Sequence, residues 1–132
     1  MFLEGVVVDR FNYLQFSSND PNTRSTGHQI IPMNDGNVRI KSDHFDRFWR
    51  RSPNWIWADS SDTTARNRDT LFRPVKVDAN TIGLINLGNN MFCKRLTADN
   101  KVSCLNAADQ SLSIFARLLV QEQVLERTIS NV

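Results

Sequence analysis

The sequence predicts an all-β domain built from three similar units of about four strands, and three observations carry that prediction. Apolar residues alternate, or run in short β-branched stretches, instead of recurring at helical spacing. Clusters of Asn, Asp, Gly, Ser and Pro punctuate those stretches at intervals of roughly 8–12 residues. The stretches also repeat: Val38–Ser42 lies over Ile82–Asn86, each residue 44 positions before its partner.

Taken in chain order, Phe2-Leu3 matches the second strand of a hairpin, so the first unit begins without its opening strand. Tyr13–Ser17, Trp55–Asp59 and Val102–Asn106 occupy equivalent third-strand places. His28, Phe72 and Phe115 each open an apolar run. After Val38–Ser42 and Ile82–Asn86 the register continues without a gap, with Phe48 over Phe92, Arg50 over Lys94 and Arg51 over Arg95. Gln110–Val124 has the only helical look, yet its Ile114–Val120 centre reads equally well as a buried strand, and the repeat favours strand.

Three units with this period suit a propeller or a β-trefoil. Typical propellers have about four to eight blades, so three units select the trefoil: a short barrel of hairpin strands capped by the rest. The expected organisation is a trefoil domain over residues 1–120 and a C-terminal extension over 121–132. Val124–Ile129 is expected to fill the vacant strand position, in its own chain or swapped into a neighbour, because an unpaired barrel edge is costly when buried.

Composition narrows the function. The chain has 132 residues with a net charge of only +2, so no concentrated basic surface is expected and nucleic acid is not an expected partner. Arg47, Arg50 and Arg51, with Arg66, Arg68 and Arg73 interspersed among Asp, read as solvated strand faces. The N-terminal apolar run lacks a basic leader and is broken by Glu4 and Asp9. It reads as neither signal peptide nor membrane span, so a nucleocytoplasmic, reducing location is expected, with no membrane insertion by this domain alone.

No zinc pattern, phosphate loop or nucleophile elbow is present, and no cofactor or metal is expected. His28 stands where the other units have Phe, which suits a core histidine, and His44 lies in a tight turn and should be exposed. Asp43 and Asp46 suit turn formation better than acid–base work. Cys93 and Cys104, centred on a hairpin turn at Thr97–Asn100, are expected to face each other across two strands as buried small hydrophobes or as a cross-strand disulfide. The expected protein is therefore not an enzyme.

All three tryptophans fall between positions 49 and 57. Trp55 and Trp57, two apart in a strand, share a face. Beside Asn54 they could form an aromatic platform with an amide at its edge, which is what a sugar's C–H face and rim hydroxyls require. They could equally fill the trefoil core. A second amide-rich turn, Asn86–Asn90, contains Gly88 and Asn89, which suit a tight turn with positive φ.

Asn37–Ser42, Phe48-Trp49-Arg50, Ser52-Pro53-Asn54, Thr70-Leu71-Phe72, Lys94–Thr97 and Leu105–Ala108 together resemble the agglutinin domain of the amaranthin lectin family, over about Tyr13 to Val120 in consistent order. The resemblance implies a β-trefoil of plant origin that binds galactose/N-acetylgalactosamine disaccharides of the T-antigen type without catalysis. It also implies a homodimer, since in that family the sugar sits between domains of two subunits. The family's binding segment falls on Asn54, Trp55 and Trp57, and its second contributing turn on Gly88 and Asn89. The Ser-Pro-Asn segment is one residue shorter here, Asn89 replaces an expected histidine, and the family's namesake has two domains. The tail near Val124–Arg127 resembles a connector that leads to a pore-forming domain in some members. The alternative reading is a protein-interaction or targeting domain of a larger toxin-like or stress protein that has lost sugar binding.

Overall fold

The computed structural model describes residues 1–64, 66–122 and 127–131, and the described residues form twelve strands. In order these are β1 Phe2–Val8, β2 Phe11–Ser18, β3 His28–Pro32, β4 Val38–Ser42, β5 Arg47–Arg51 and β6 Ile56–Ser60. They continue as β7 Phe72–Lys76, β8 Thr81–Asn86, β9 Met91–Ala98, β10 Lys101–Asp109, β11 Leu118–Glu122 and β12 Arg127–Asn131.

The pairing register shows a threefold relation. Phe2, Phe48 and Phe92 oppose Ser130, Lys41 and Ile85. His28, Phe72 and Leu118 oppose Arg127, Val38 and Ile82. Tyr13 opposes Trp57, Trp55 opposes Asn106, and Cys104 opposes Gln15. Strands β2, β6 and β10 therefore meet pairwise around a pseudo-threefold axis, which is the β-trefoil.

The same relation organises the core. Leu3, Trp49 and Cys93 form one equivalent set, Leu14, Ile56 and Leu105 a second, and Ile40, Leu84 and Ile129 a third, all essentially without solvent contact. Trp49 takes the place of a leucine and a cysteine, so the three units pack unequal volumes into one core. Tyr13, Trp55 and Cys104 are also equivalents, and they form a separate buried cluster where β2, β6 and β10 converge.

Strand β12 occupies the place that β4 and β8 hold in the other units. It pairs with β11 over five residues and touches both β1 and β3. The expected seam is thus closed within the chain by residues 127–131, whereas Val124–Glu126 of the expected segment lie outside the described residues.

Several sequence expectations are corrected. The equivalent of His28 and Phe72 is Leu118, not Phe115, which is 54% exposed in a 3-10 turn at Ile114–Ala116. That turn also interrupts the strand expected across Ile114–Val120. In β10 the equivalent of Tyr13 is Cys104, while Val102 is 59% exposed, because the pairing register shifts between Lys101 and Cys104. That shift, beside a turn at Asp99-Asn100 rather than Thr97–Asn100, pairs Cys93 with Ala107 and Cys104 with Leu96. The two thiols are free and do not face each other. Burial pushes the Cys104 thiol up to about 11 and the Cys93 thiol higher still.

Candidate functional site

Where β5 ends, the chain turns through Ser52-Pro53-Asn54 before β6, closed by the Ser52 amide donating to the Trp55 carbonyl at 2.8 Å. The Asn54 carbonyl accepts from the Ala107 amide at 2.7 Å, which pins this loop to β10 and leaves the Asn54 side chain exposed. The turn between β8 and β9 approaches from the other side. Its Asn89 donates through Nδ2 to the Ala107 carbonyl at 2.9 Å and to Asn54 Oδ1 at 3.5 Å. Asn89 Oδ1 accepts from the Met91 amide at 3.1 Å, which fixes the orientation of its amide.

Beneath the turn lies a polar network. Arg51 donates through Nε to Asn86 Oδ1 at 3.1 Å, through Nη2 to Asp69 Oδ1 at 2.6 Å, and through Nη1 to the Pro53 carbonyl. The fully buried Asn86 donates to the Asp69 carbonyl at 2.9 Å and accepts the Gly88 amide at 2.9 Å. A Cβ on Gly88 would run into Asp69, Asn86 and Arg51, so glycine is needed here for close approach. Positive φ belongs instead to Asn90, at 58°, which corrects the expectation for Gly88 and Asn89.

Asn54, Gly88 and Asn89 are therefore brought together, although the sequence separates them by more than thirty positions. The tryptophans divide. Trp55 is 8% exposed and packs edge to face on Tyr13, so it supports the loop from below and offers no ring to solvent. Trp57 is half-buried, stacked on Phe11 with centroids 4.7 Å apart and lying under the Arg50 guanidinium. The open ring of that stack is Phe11, at 47% exposure. Sequence reading missed Phe11, and the available signal was its place two residues before Tyr13, on the same strand face.

Arg50 and Arg51 are not simply solvated. Arg50 clamps Asp59 with two bonds of 2.9 Å, which hold its guanidinium charged, and Asp69 adds to the same field. Arg50 and Arg51 are successive in β5 and leave opposite strand faces, so Arg50 meets the aromatic stack and Arg51 the amide turn. Neutral amides, backbone amides at a tight turn and an exposed ring can bind hydroxyls and C–H faces. Among the described residues no group of three His, Cys, Asp or Glu is placed to hold a metal ion.

Residues 2–121 match the family model described as the agglutinin domain. This chain belongs to the agglutinin domain family. The agglutinin domain also resembles a crystal structure of a designed 3-fold symmetric protein, ThreeFoil, with TM-score 0.63 and 8% identity over 98% of this chain and 90% of that one. Its likeness to the crystal structure of Cry35Ab1 has TM-score 0.60 and 12% identity, over 99% of this chain but 32% of that longer one. At these identities the likenesses show the fold alone. A search of curated proteins finds no significant match. Family and fold together support a lectin, and the family points to binding without catalysis.

Proposed function

We propose that this agglutinin domain is a lectin for galactose/N-acetylgalactosamine-type glycans, binding them without catalysis at the face where Asn54, Gly88 and Asn89 meet. The observation that carries this reading is the 3.5 Å approach of the Asn54 and Asn89 side-chain amides across two loops. Two amides offer donors and acceptors together, matching vicinal hydroxyls without a net charge. Phe11, stacked on Trp57 farther along the β2–β6 pair, is a separate exposed ring. Trp55 acts as the buried footing of the loop.

Such a shallow site gives weak single-site affinity, and a homodimer would add avidity. The buried free thiols suit the nucleocytoplasmic location expected from the sequence. The competing reading, a protein-interaction domain, draws on the exposed Ile114 and Phe115. A glycan array probed with the purified chain separates the two. Selective binding of galactosyl-N-acetylgalactosamine disaccharides that is weakened in Asn54→Ala supports the lectin, and an array with no selective signal rejects it.

A further inference from the structure

We propose that Arg51 is the positioning residue that makes one of the three pseudo-equivalent faces able to hold a glycan, so that each chain carries a single site. The inference rests on the lectin reading and adds to it the number of sites and what organises them.

The strand register assigns the equivalents of the Arg51 network. Since Phe2, Phe48 and Phe92 correspond, Gly5 and Arg95 stand where Arg51 does. Since the β4–β5 and β8–β9 turns correspond, Ser42 stands for Asn86, His44 for Gly88 and Phe45 for Asn89. In the remaining unit Asn131 stands for Asn86, but its Nδ2 donates to the Arg117 carbonyl at 2.9 Å and only at 3.5 Å to that of Phe115, the counterpart of Asp69.

On the first of the other faces no guanidinium stands at the Arg51 position, although the Arg24 Nε donates to the Asp43 carbonyl at 3.2 Å as that of Arg68 does to the Leu87 carbonyl. The space above Gly5 is filled by the Phe45 ring, whose edge lies 2.7 Å from where a Cβ would stand, with His44 beside it. Phe45 also packs against the main core. That turn is held by apolar contact together with local hydrogen bonds, the Phe45 amide donating to the Ser42 hydroxyl at 3.3 Å, and its amide position is a phenyl ring. On the second face Arg95 is present, but Phe115 replaces Asp69, and the Arg95 Nε donates to Ser103 at 3.0 Å within its own hairpin.

Only Arg51, among the described residues, therefore ties a strand end to three separate segments: the 52–54 loop through Pro53, the 3-10 turn Arg68–Thr70 through Asp69, and the amide turn through Asn86. A planar fork with several fixed donors suits this task, and a lysine ammonium cannot reproduce it. The carboxylate and carbonyls it holds set the distance between Asn54 and Asn89.

The test is calorimetric titration of the whole chain with the galactosyl-N-acetylgalactosamine disaccharide. The expected stoichiometry is about one per chain. Arg51→Gln should weaken binding about tenfold or more, Arg51→Lys should recover part of that loss, and Arg95→Gln should bind as the native chain does. A stoichiometry of two or three, or equal losses in Arg51→Gln and Arg95→Gln, overturns the proposal. Hydrogen exchange without sugar gives a separate arm. In Arg51→Gln the Gly88, Met91 and Ala107 amides should exchange about tenfold faster while β12 keeps its protection. Unchanged exchange overturns the positioning role even where sugar binds. If the native chain binds no disaccharide, the lectin reading and the single glycan site fall together, and the exchange pattern shows whether Arg51 still orders the turn.

Discussion

Trp55 and Tyr13 meet edge to face, with ring centroids 5.9 Å apart, and both belong with Cys104 to the buried cluster where three strands converge. Trp57, two residues on, reaches the same Tyr13 at 5.8 Å but keeps part of its ring in solvent beneath Phe11. Trp55→Ala should therefore destabilise the fold by about 3–5 kcal/mol, and Trp57→Ala by less than half as much. Urea denaturation followed by circular dichroism measures both. Equal losses would contradict the division of roles between the two rings.

Asn54 exposes its side chain toward the proposed site, while its backbone carbonyl holds β10. Asn54→Ala leaves that carbonyl bond in place, so unfolding midpoints should stay within about 0.5 kcal/mol of native. Disaccharide affinity should drop about fivefold or more, the share of one lost neutral hydrogen bond. Affinity at the native level would remove Asn54 from the site.

Gly88→Ala sets a Cβ against Asp69, Asn86 and Arg51. The turn must shift or the network must open, at a cost of about 1–3 kcal/mol, with sugar binding weakened in parallel. Gly36→Ala makes an informative contrast. A Cβ there meets open space and strains only the backbone at φ 77°, so a cost of about 1 kcal/mol without change in binding is expected.

His28 is fully buried, with Nε2 bonded to the Leu3 carbonyl at 2.9 Å, and burial lowers its pKa from 6.5 to about 4 despite the bond and Asp43. The unfolded chain takes up the proton first, so stability is complete above about pH 6.5 and declines as pH falls toward 4. The loss is on the order of 3 kcal/mol. His28→Leu, which installs the side chain of its equivalent Leu118, should flatten stability across that window. Native unfolding free energies that stay constant from pH 6.5 to 4 would refute the assignment.

Strand β12 contributes the fully buried Ile129 and pairs with β11, β1 and β3. Removing residues 122–132 exposes three strand edges and a hole in the core. The shortened chain should lose its cooperative thermal transition and bind the dye ANS. A truncated chain that melts as sharply as the native one would mean that the seam does not need this strand.

The trefoil was legible because its signals are local and repeat: alternation in Val38–Ser42 recurs in Ile82–Asn86, and Asn and Asp mark the turns that Asp9, Asp46, Asn90 and Asp99 make with positive φ. The register of the third unit was not. The displacement around Ser103, at φ 52°, and the longer path to Leu118 are invisible to a search at constant spacing, and so Phe115 and the two cysteines were misplaced.

The sequence alone determined that the chain is all-β, that it folds as three units, and that Asn54, Gly88 and Asn89 are candidates, because periodicity and turn chemistry act within a few residues. Only the tertiary structure decided that Trp55 faces the axis, that Phe11 covers Trp57, and that Arg51 joins the two amide loops. Those outcomes depend on barrel closure, which sets how residues dozens of positions apart share space, and no local pattern encodes that distance.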